Sequence, residues 1–288
     1  MSRSRRPDPW IILLATMSAG PVLAGLVFML LYSTGQIGLL AHGFTLHYWR
    51  VVLDDRQTWI TLAYSLAMGL ASLGASLLLA LALQAALGAR LRRGALRGLL
   101  FVPLAVPPLV AALLSVEVLG NAGLLARLAH ALGWIDQPGD FPSLLFTPSG
   151  VGIVLAHMTL VTPFLLLLLD RLGRNARVAD LMQVARTLGA SRWQAWRQVC
   201  LPVLMRAGMP VLSVYFIALM GAFEVPLLVG AQYPAMVSVL IQRRFSQFDI
   251  STRPEAYVLA SLYACLAMGL LLALFAWRGR REAGERAA

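Results

Sequence analysis

Long, unbroken blocks of apolar residues recur along this chain, and no other feature constrains its fold as strongly. Six such blocks lie at about 10–32, 59–87, 98–120, 151–170, 209–230 and 256–277. A helix needs about 20 residues to cross the roughly 30 Å hydrocarbon core of a bilayer, so each block is long enough to span one. Hydrophobic residues make up 59% of the chain and charged residues only 13%. A soluble domain must cover its surface with polar groups, and this sequence has too few to do so. The expected fold is therefore all-α and polytopic, with about six transmembrane helices. An N-tail covers 1–9, a single membrane domain covers 10–277 and a C-tail covers 278–288. The block at 59–87 is overlong and predicts a helix that tilts or runs past the bilayer. The stretch from Trp10 to Leu31 follows Arg3, Arg5 and Arg6 but exceeds a signal-peptide core, so it reads as an uncleaved first helix.

The formal net charge is +11, and all 24 basic residues are Arg. Eighteen of them fall in the N-tail, 88–97, 171–208 and the C-tail, against six in the alternate segments. By the positive-inside rule, both termini are expected in the cytoplasm. An even number of spans demands the same. The charge serves orientation better than it serves nucleic-acid binding. A P-loop requires a Lys, so the chain has no such ATP site of its own. The cysteines, Cys200 and Cys265, fall in a cytoplasmic segment and an apolar block, so no disulfide is expected.

Shorter features sit between the spans. Phe44 to Leu53 predicts an interfacial helix with Tyr48 and Trp49 at headgroup level. Residues 122–133 predict another short helix, ending at Gly133. Pro103, Pro107 and Pro108 interrupt the third span and Pro226 the fifth. Such breaks are tolerated where freed backbone groups line a cavity or are buried in protein.

The cytoplasmic loop at 171–208 carries the most information. Val178, Leu181, Met182, Ala185 and Leu188 recur at helical spacing and define an apolar face. Gly189 stands where that helix ends, in a position suited to a left-handed conformation. Ser191 and Gln194 form a capping-box pattern for a second helix. Trp193, Trp196, Val199 and Cys200 give that helix its apolar face, and Pro202 closes the unit. Two readings are open for such a helix pair. One is a hairpin lying on anionic lipid through Arg186, Arg192 and Arg197. The other is a projection that buries its stripe in a partner's groove.

This segment resembles the EAA loop of type I ABC importer permeases, the inner-membrane components of binding-protein-dependent transport. The family pattern is Glu-Ala-Ala, three residues, Gly, nine residues, Ile, one residue, Leu-Pro. Gln183-Val184-Ala185, Gly189, Val199 and Leu201-Pro202 fall at those positions without a gap. Gln183 stands where the family has an acid and Val184 where it has its first Ala. The likeness is closest to the spermidine/putrescine, thiamine, iron and sulfate branch, with a family-like core at about 58–277. It implies that Gln183, Ala185, Gly189, Ala190, Ser191, Leu201 and Pro202 couple the chain to a separate ABC ATPase subunit. ATP and Mg would be bound by that subunit, and this chain would hold no cofactor. It further implies a second permease subunit, most simply a heterodimeric partner, and a periplasmic solute-binding protein docking on 33–57, 121–150 and 231–255.

Candidate pathway residues are few. Glu224 and Pro226 lie in Gly221-Ala-Phe-Glu-Val-Pro226, a stretch that also resembles the branch named above. A carboxylate at membrane depth costs roughly 2.5–3.5 kcal/mol if it faces lipid, so Glu224 should face the bundle interior. It would line the solute path or hold helices together. Glu117, at the end of the third span, is a second acidic candidate, with an interfacial carboxylate as the plainer alternative. Both acids suit a cationic solute such as spermidine or putrescine, while thiamine, ferric iron and oxyanions remain open. His157 is expected to be a hydrogen-bonded packing residue, and Asp170 and Arg171 to pair at the membrane boundary. His42, His47 and His130 have no metal-ligand spacing. No catalytic set is visible, so the chain is expected not to be an enzyme. A gradient-driven secondary transporter is the distant alternative; it would need inverted repeats and midplane ionisable sites.

Overall fold

A computed structural model describes residues 9–38, 41–91 and 95–287. Every regular element among them is helical. Six stretches are long and apolar enough to cross a membrane: Leu13–Ser33, Arg56–Gly88, Pro108–Ala131, Val151–Asn175, Arg192–Met220 and Thr252–Arg280. The all-α, six-span expectation therefore holds. The chain divides into two compact units, one of residues 1–60 and 240–268 and the other of 61–239 and 269–288.

The first unit contains α1 (Pro9–Ser33), α2 (His47–Asp54), the start of α3 (Arg56–Leu91), the end of α13 (Val237–Phe245) and much of α14 (Thr252–Ala287). Its core is Val52, Leu240, Val258 and Leu259, with Tyr48 and Trp49 packed against it. The two aromatics expected at headgroup level thus turn partly inward, and Trp49 Nε1 donates to Ser33 Oγ at 3.2 Å. Phe28, Tyr32 and Tyr257 tie α1 to α14 by ring contacts. The Arg244 guanidinium joins Asp55 (2.5 Å), at the α2–α3 junction, to Glu255 (2.9 Å), in the first turn of α14.

In the second unit, α3 carries a seam of small residues at spacings of three and four. Thr61, Ser65, Gly69, Ser72, Ser76 and Ala80 are all buried. Lipid gives helices no hydrophobic reason to associate, so close backbone approach through small residues takes over. A Cβ placed on Gly69 would lie 3.1 Å from the Met220 backbone. The hydroxyls are used as well. Ser65 Oγ donates to the Thr61 carbonyl (2.8 Å) and accepts from Val237 N–H (2.7 Å). Ser72 Oγ and His157 Nδ1 are 3.1 Å apart, and His157 is buried. That histidine is a packing residue, as expected.

The third span is broken at its prolines. The block expected at 98–120 becomes α4 (Ala95–Leu99), α5 (Val102–Ala105) and α6 (Pro108–Leu119), with Val106 extended between the last two, and the stretch long enough to cross runs instead from Pro108 to Ala131. Pro108 begins α6, where its missing N–H costs no helical bond. Helix α7 (Leu124–Ala131) follows, and Gly133 takes φ +71° behind it, as its sequence predicted. Helix α8 (Val151–Asn175) runs toward the Arg-rich loop. Within it, Asp170 pairs with Arg174 rather than with the expected Arg171. Adjacent residues diverge around a helix, whereas residues four apart share a face.

Candidate functional site

The Arg-rich loop folds as two helices meeting at a sharp turn. Helix α9 (Val178–Thr187) ends in paired bonds: Gly189 N–H donates to the Arg186 carbonyl and Ala190 N–H to the Ala185 carbonyl, both at 3.0 Å. Gly189 has φ +92°, which a residue with a Cβ adopts only with strain. Helix α10 (Arg192–Ala195) starts on a reciprocal cap. Ser191 Oγ accepts from Gln194 N–H (3.2 Å) and Gln194 Oε1 accepts from Ser191 N–H (2.8 Å). Groups at two helix ends are thereby satisfied within the short stretch from Ala185 to Gln194.

The second helix does not stop at Pro202. A wide turn at Trp196–Cys200 passes directly into α11 (Leu201–Met220), so the hairpin's second arm is continuous with the fifth span. The span expected at 209–230 therefore begins at Arg192 and ends at Met220. Helix interiors reject Pro because its ring meets the carbonyl four residues back. The wide turn immediately before Pro202 shifts that carbonyl, which accounts for the helix continuing.

The apolar face also differs from its expectation. Val178, Met182, Trp196 and Cys200 pack into a cluster with Leu169, Leu172 and Leu204. Leu181 (44% exposed), Val184 (57%) and Leu188 (82%) point outward. Trp193 is exposed too and stacks on Trp196, ring centroids 5.1 Å apart. Of the other motif residues, Gln183, Ser191 and Pro202 are exposed, while Ala185, Ala190 and Leu201 are half-buried. An open hollow of about 1210 Å³ lies between the end of α3 (Gln84, Gly88) and the hairpin (Gln183, Arg186, Arg192, Trp193).

The second candidate region is the end of the fifth span. Residues 221–223 leave the helix, and α12 (Glu224–Val229) restarts it. The break thus precedes Pro226 instead of falling on it. Pro226 is buried in the first turn of α12, where an absent N–H is harmless. Ser238 Oγ donates to the Ala222 carbonyl at 2.5 Å, satisfying one acceptor freed by the break. Helix α12 packs on α6 and α8, with Val225, Val229, Ala112, Ile153 and Ala156 at the contact. Glu224 opens α12 and is exposed, and Glu117 on α6 is also exposed. Both carboxylates therefore belong to helices of one packed pair. Glu117 continues the outward stripe of Val110, Leu113 and Leu114.

Residues 231–239 of the expected docking loop at 231–255 are mostly buried: Ala231, Ala235, Met236, Val237 and Val239 all lie in the interior. Sequence reasoning missed this return of the chain, together with the Ser65–Val237 and Ser238–Ala222 bonds. Short runs such as Ala235-Met-Val237 were its only local signal. Among the described residues, no group of three or more His, Cys, Asp or Glu could hold a metal ion.

Comparison with known proteins places these features in context. The family described as binding-protein-dependent transport system inner membrane component matches residues 72–281. A probable sulfate transport system permease protein, cysT, from Chlorella vulgaris is 29% identical over 169 residues, covering 58% of this chain and 56% of that protein. The spermidine/putrescine transport system permease protein PotB of Escherichia coli K12 is 29% identical over 167 residues, 57% and 56% of the two chains. The molybdate/tungstate transport system permease protein WtpB of Thermococcus kodakarensis is 33% identical over 136 residues, 46% and 51%. The matches thus span about half the length of these relatives. A chain of a bacterial ABC transporter involved in importing the polysaccharide alginate shares the fold, with a TM-score of 0.71 and 15% identity over 93% of this chain and 95% of that one.

Proposed function

The chain belongs to the family of binding-protein-dependent transport system inner membrane components, the permeases of type I ABC importers, and from that premise we propose how it works. It forms half of a solute pathway and pairs with a second permease subunit, most simply a different one. ATP and Mg are bound and turned over on ABC ATPase subunits that dock on α9 and α10. A solute-binding protein delivers cargo on the opposite side of the bacterial inner membrane, and both termini face the cytoplasm. The observation that carries this reading is the hairpin, a rigidly capped helix pair with its outer apolar stripe unpartnered. Continuity of α10 with α11 gives the hairpin a direct mechanical route into the fifth span, so rigid-body motion of an ATPase dimer would be felt at the break before Glu224.

The solute reading rests on the exposed Glu117 and Glu224. A carboxylate at membrane depth is costly toward lipid, which supports a place on a water-filled path between two permeases. Two such groups suit a cationic solute, of which a polyamine such as spermidine or putrescine is the best fit. The relatives named for sulfate and molybdate support an oxyanion as the second reading. Glu224→Gln separates charge from packing. Uptake per assembled complex should fall while membrane level and assembly persist, and Glu224→Ala should behave alike. Normal uptake by Glu224→Gln would remove the case for a cation. Loss of assembly in Glu224→Ala that Gln restores would assign the residue to helix packing.

A further inference from the structure

The break in the third span leaves a hollow behind it. Helices α5, α6 and α8, with Leu79 of α3, enclose an apolar slot of about 530 Å³. Pro103 and Val106 wall it at the break, and Leu155, Met158 and Leu160 wall it on α8. Its two hydroxyls are used within their own helices: Ser115 Oγ donates to the Ala111 carbonyl and Thr159 Oγ1 to the Ala156 carbonyl, both at 2.7 Å. The slot therefore offers a guest hydrocarbon surface alone. Packed interiors rarely leave voids larger than a water molecule, and a dry apolar cavity takes up apolar guests. Val102 and Leu114, both exposed, lie on its rim and leave it open at the side.

The slot lies at hydrocarbon depth. Leu160 and Leu155 are roughly 15 and 22 Å along α8 from Asp170, whose pairing with Arg174 marks the charged end of that helix. The hydrocarbon core is about 30 Å thick, so one leaflet supplies about 15 Å of it. A second, smaller hollow lies at the charged end, lined by Gln84, Arg97, Leu100 and Asp170 among others. Three elements step from the slot to this hollow in the same direction: Leu79 to Gln84 on α3, Val102 to Leu100 between α5 and α4, and Leu160 to Leu166 on α8. Arg97 is exposed, and among the described residues it has no ion pair. Gln84 Oε1 is buried and, among the described residues, has no hydrogen-bond partner.

We propose that a phospholipid of the leaflet nearest the hairpin binds here, with its phosphate on Arg97 and the end of one acyl chain in the slot. An apolar slot that leads, one leaflet away, to an unpaired guanidinium matches an amphiphile with an anionic head. A protein helix laid across the slot would cover it without any use for the cation. A donor on the headgroup would satisfy Gln84 Oε1, whose desolvation is otherwise uncompensated. The chain end would fill the space between α6 and α8 beside the break and brace the two helices. The proposal needs only the membrane-spanning fold and is independent of the solute carried.

The test uses the full-length chain in detergent, together with the subunits that copurify with it, after loosely held lipid is removed. It is titrated with a phospholipid that carries a photoactivatable group at the end of one acyl chain, and crosslinked residues are mapped by mass spectrometry. Labelling should saturate and should concentrate on 102–118 and 155–160. A diacylglycerol probe with the same chains should need at least about tenfold more for the same labelling, because it lacks the phosphate. Arg97→Gln should weaken the phospholipid by the same factor and leave the diacylglycerol unchanged, and Arg97→Lys should recover most of the loss. Thr159→Trp should fill the slot and remove its labelling at an unchanged melting temperature. Should that variant not fold, Arg97→Gln, made on an exposed side chain, still decides. Labelling confined to outward residues such as Leu109 and Leu113 would overturn the proposal. Equal labelling by both probes, indifferent to Arg97→Gln, would overturn the phosphate contact and the phospholipid with it. Slot labelling of the isolated chain that vanishes when copurifying subunits are present would overturn it in favour of a protein occupant.

Discussion

The hairpin at 178–201 and the broken segment at 221–239 both interrupt regular helix, but they are specified in opposite ways. Every bond that shapes the hairpin turn joins residues at most five apart: Ala190 to Ala185, Gly189 to Arg186, and Ser191 to Gln194 in both directions. The broken segment is held from a distance. Val237 N–H reaches Ser65, Phe146 N–H reaches the Val229 carbonyl, and Ser238 satisfies Ala222 across 16 residues. A locally coded turn stays rigid wherever it is carried. A break held by distant partners keeps its shape only while those partners stay in place. Under the proposed function, the first would suit a stiff lever and the second an element that rearranges.

The largest effect should come from attacking the distant support. Gly69→Leu would force a side chain into the Met220 backbone just before the break. Overpacking of this kind costs about 1–3 kcal/mol or more. Reduced membrane level and a lowered melting temperature in detergent are expected. A variant of normal stability would show that the α3 seam is not tightly packed against Met220.

Gly189→Val attacks the lever instead. A β-branched residue at φ +92° is strained by about 1–2 kcal/mol, and nothing lies within 4 Å of the site to clash. The chain should insert and melt normally yet lose ATPase binding or stimulated hydrolysis. Stability and coupling would then separate, which sharpens the contrast between the regions. Unchanged transport and assembly would break it.

The regions also differ in how far they could be read beforehand. Gly189, Ser191 and Gln194 were legible because each acts on near neighbours, and the Pro103–Pro108 breaks were legible because three prolines within six residues remove three backbone donors from one stretch. The break before Glu224 was misplaced onto Pro226 because its cause is tertiary. The burial of 231–239 was invisible for the same reason. Even in the hairpin, periodicity identified an apolar face without telling that Val178 and Met182 turn inward while Leu181 and Leu188 face out. An apolar stripe made for a partner looks like an apolar stripe made for a core. The continuation of α10 through Pro202 depends on the wide turn before it, which no single residue announces.

Smaller effects complete the comparison. Ser238→Ala should cost about 1 kcal/mol by orphaning the Ala222 carbonyl. Hydrogen exchange should show faster opening around 221–223, with the hairpin unchanged. Ser191→Ala should cost about 1 kcal/mol or less at the α10 start, and Ser191→Asp should recover most of it. Hydrogen exchange of Gln194 and its neighbours reports that loss.

The most direct test of the central claim is solute uptake into proteoliposomes that contain this chain with its copurified permease and ATPase partners. The external binding protein is loaded with candidate solutes, and ATP is enclosed or omitted. Uptake should require enclosed ATP and the binding protein, persist when ion gradients are collapsed, and fail with Gly189→Val although the chain still inserts into the membrane. Uptake that proceeds without ATP and follows an imposed ion gradient would contradict the account.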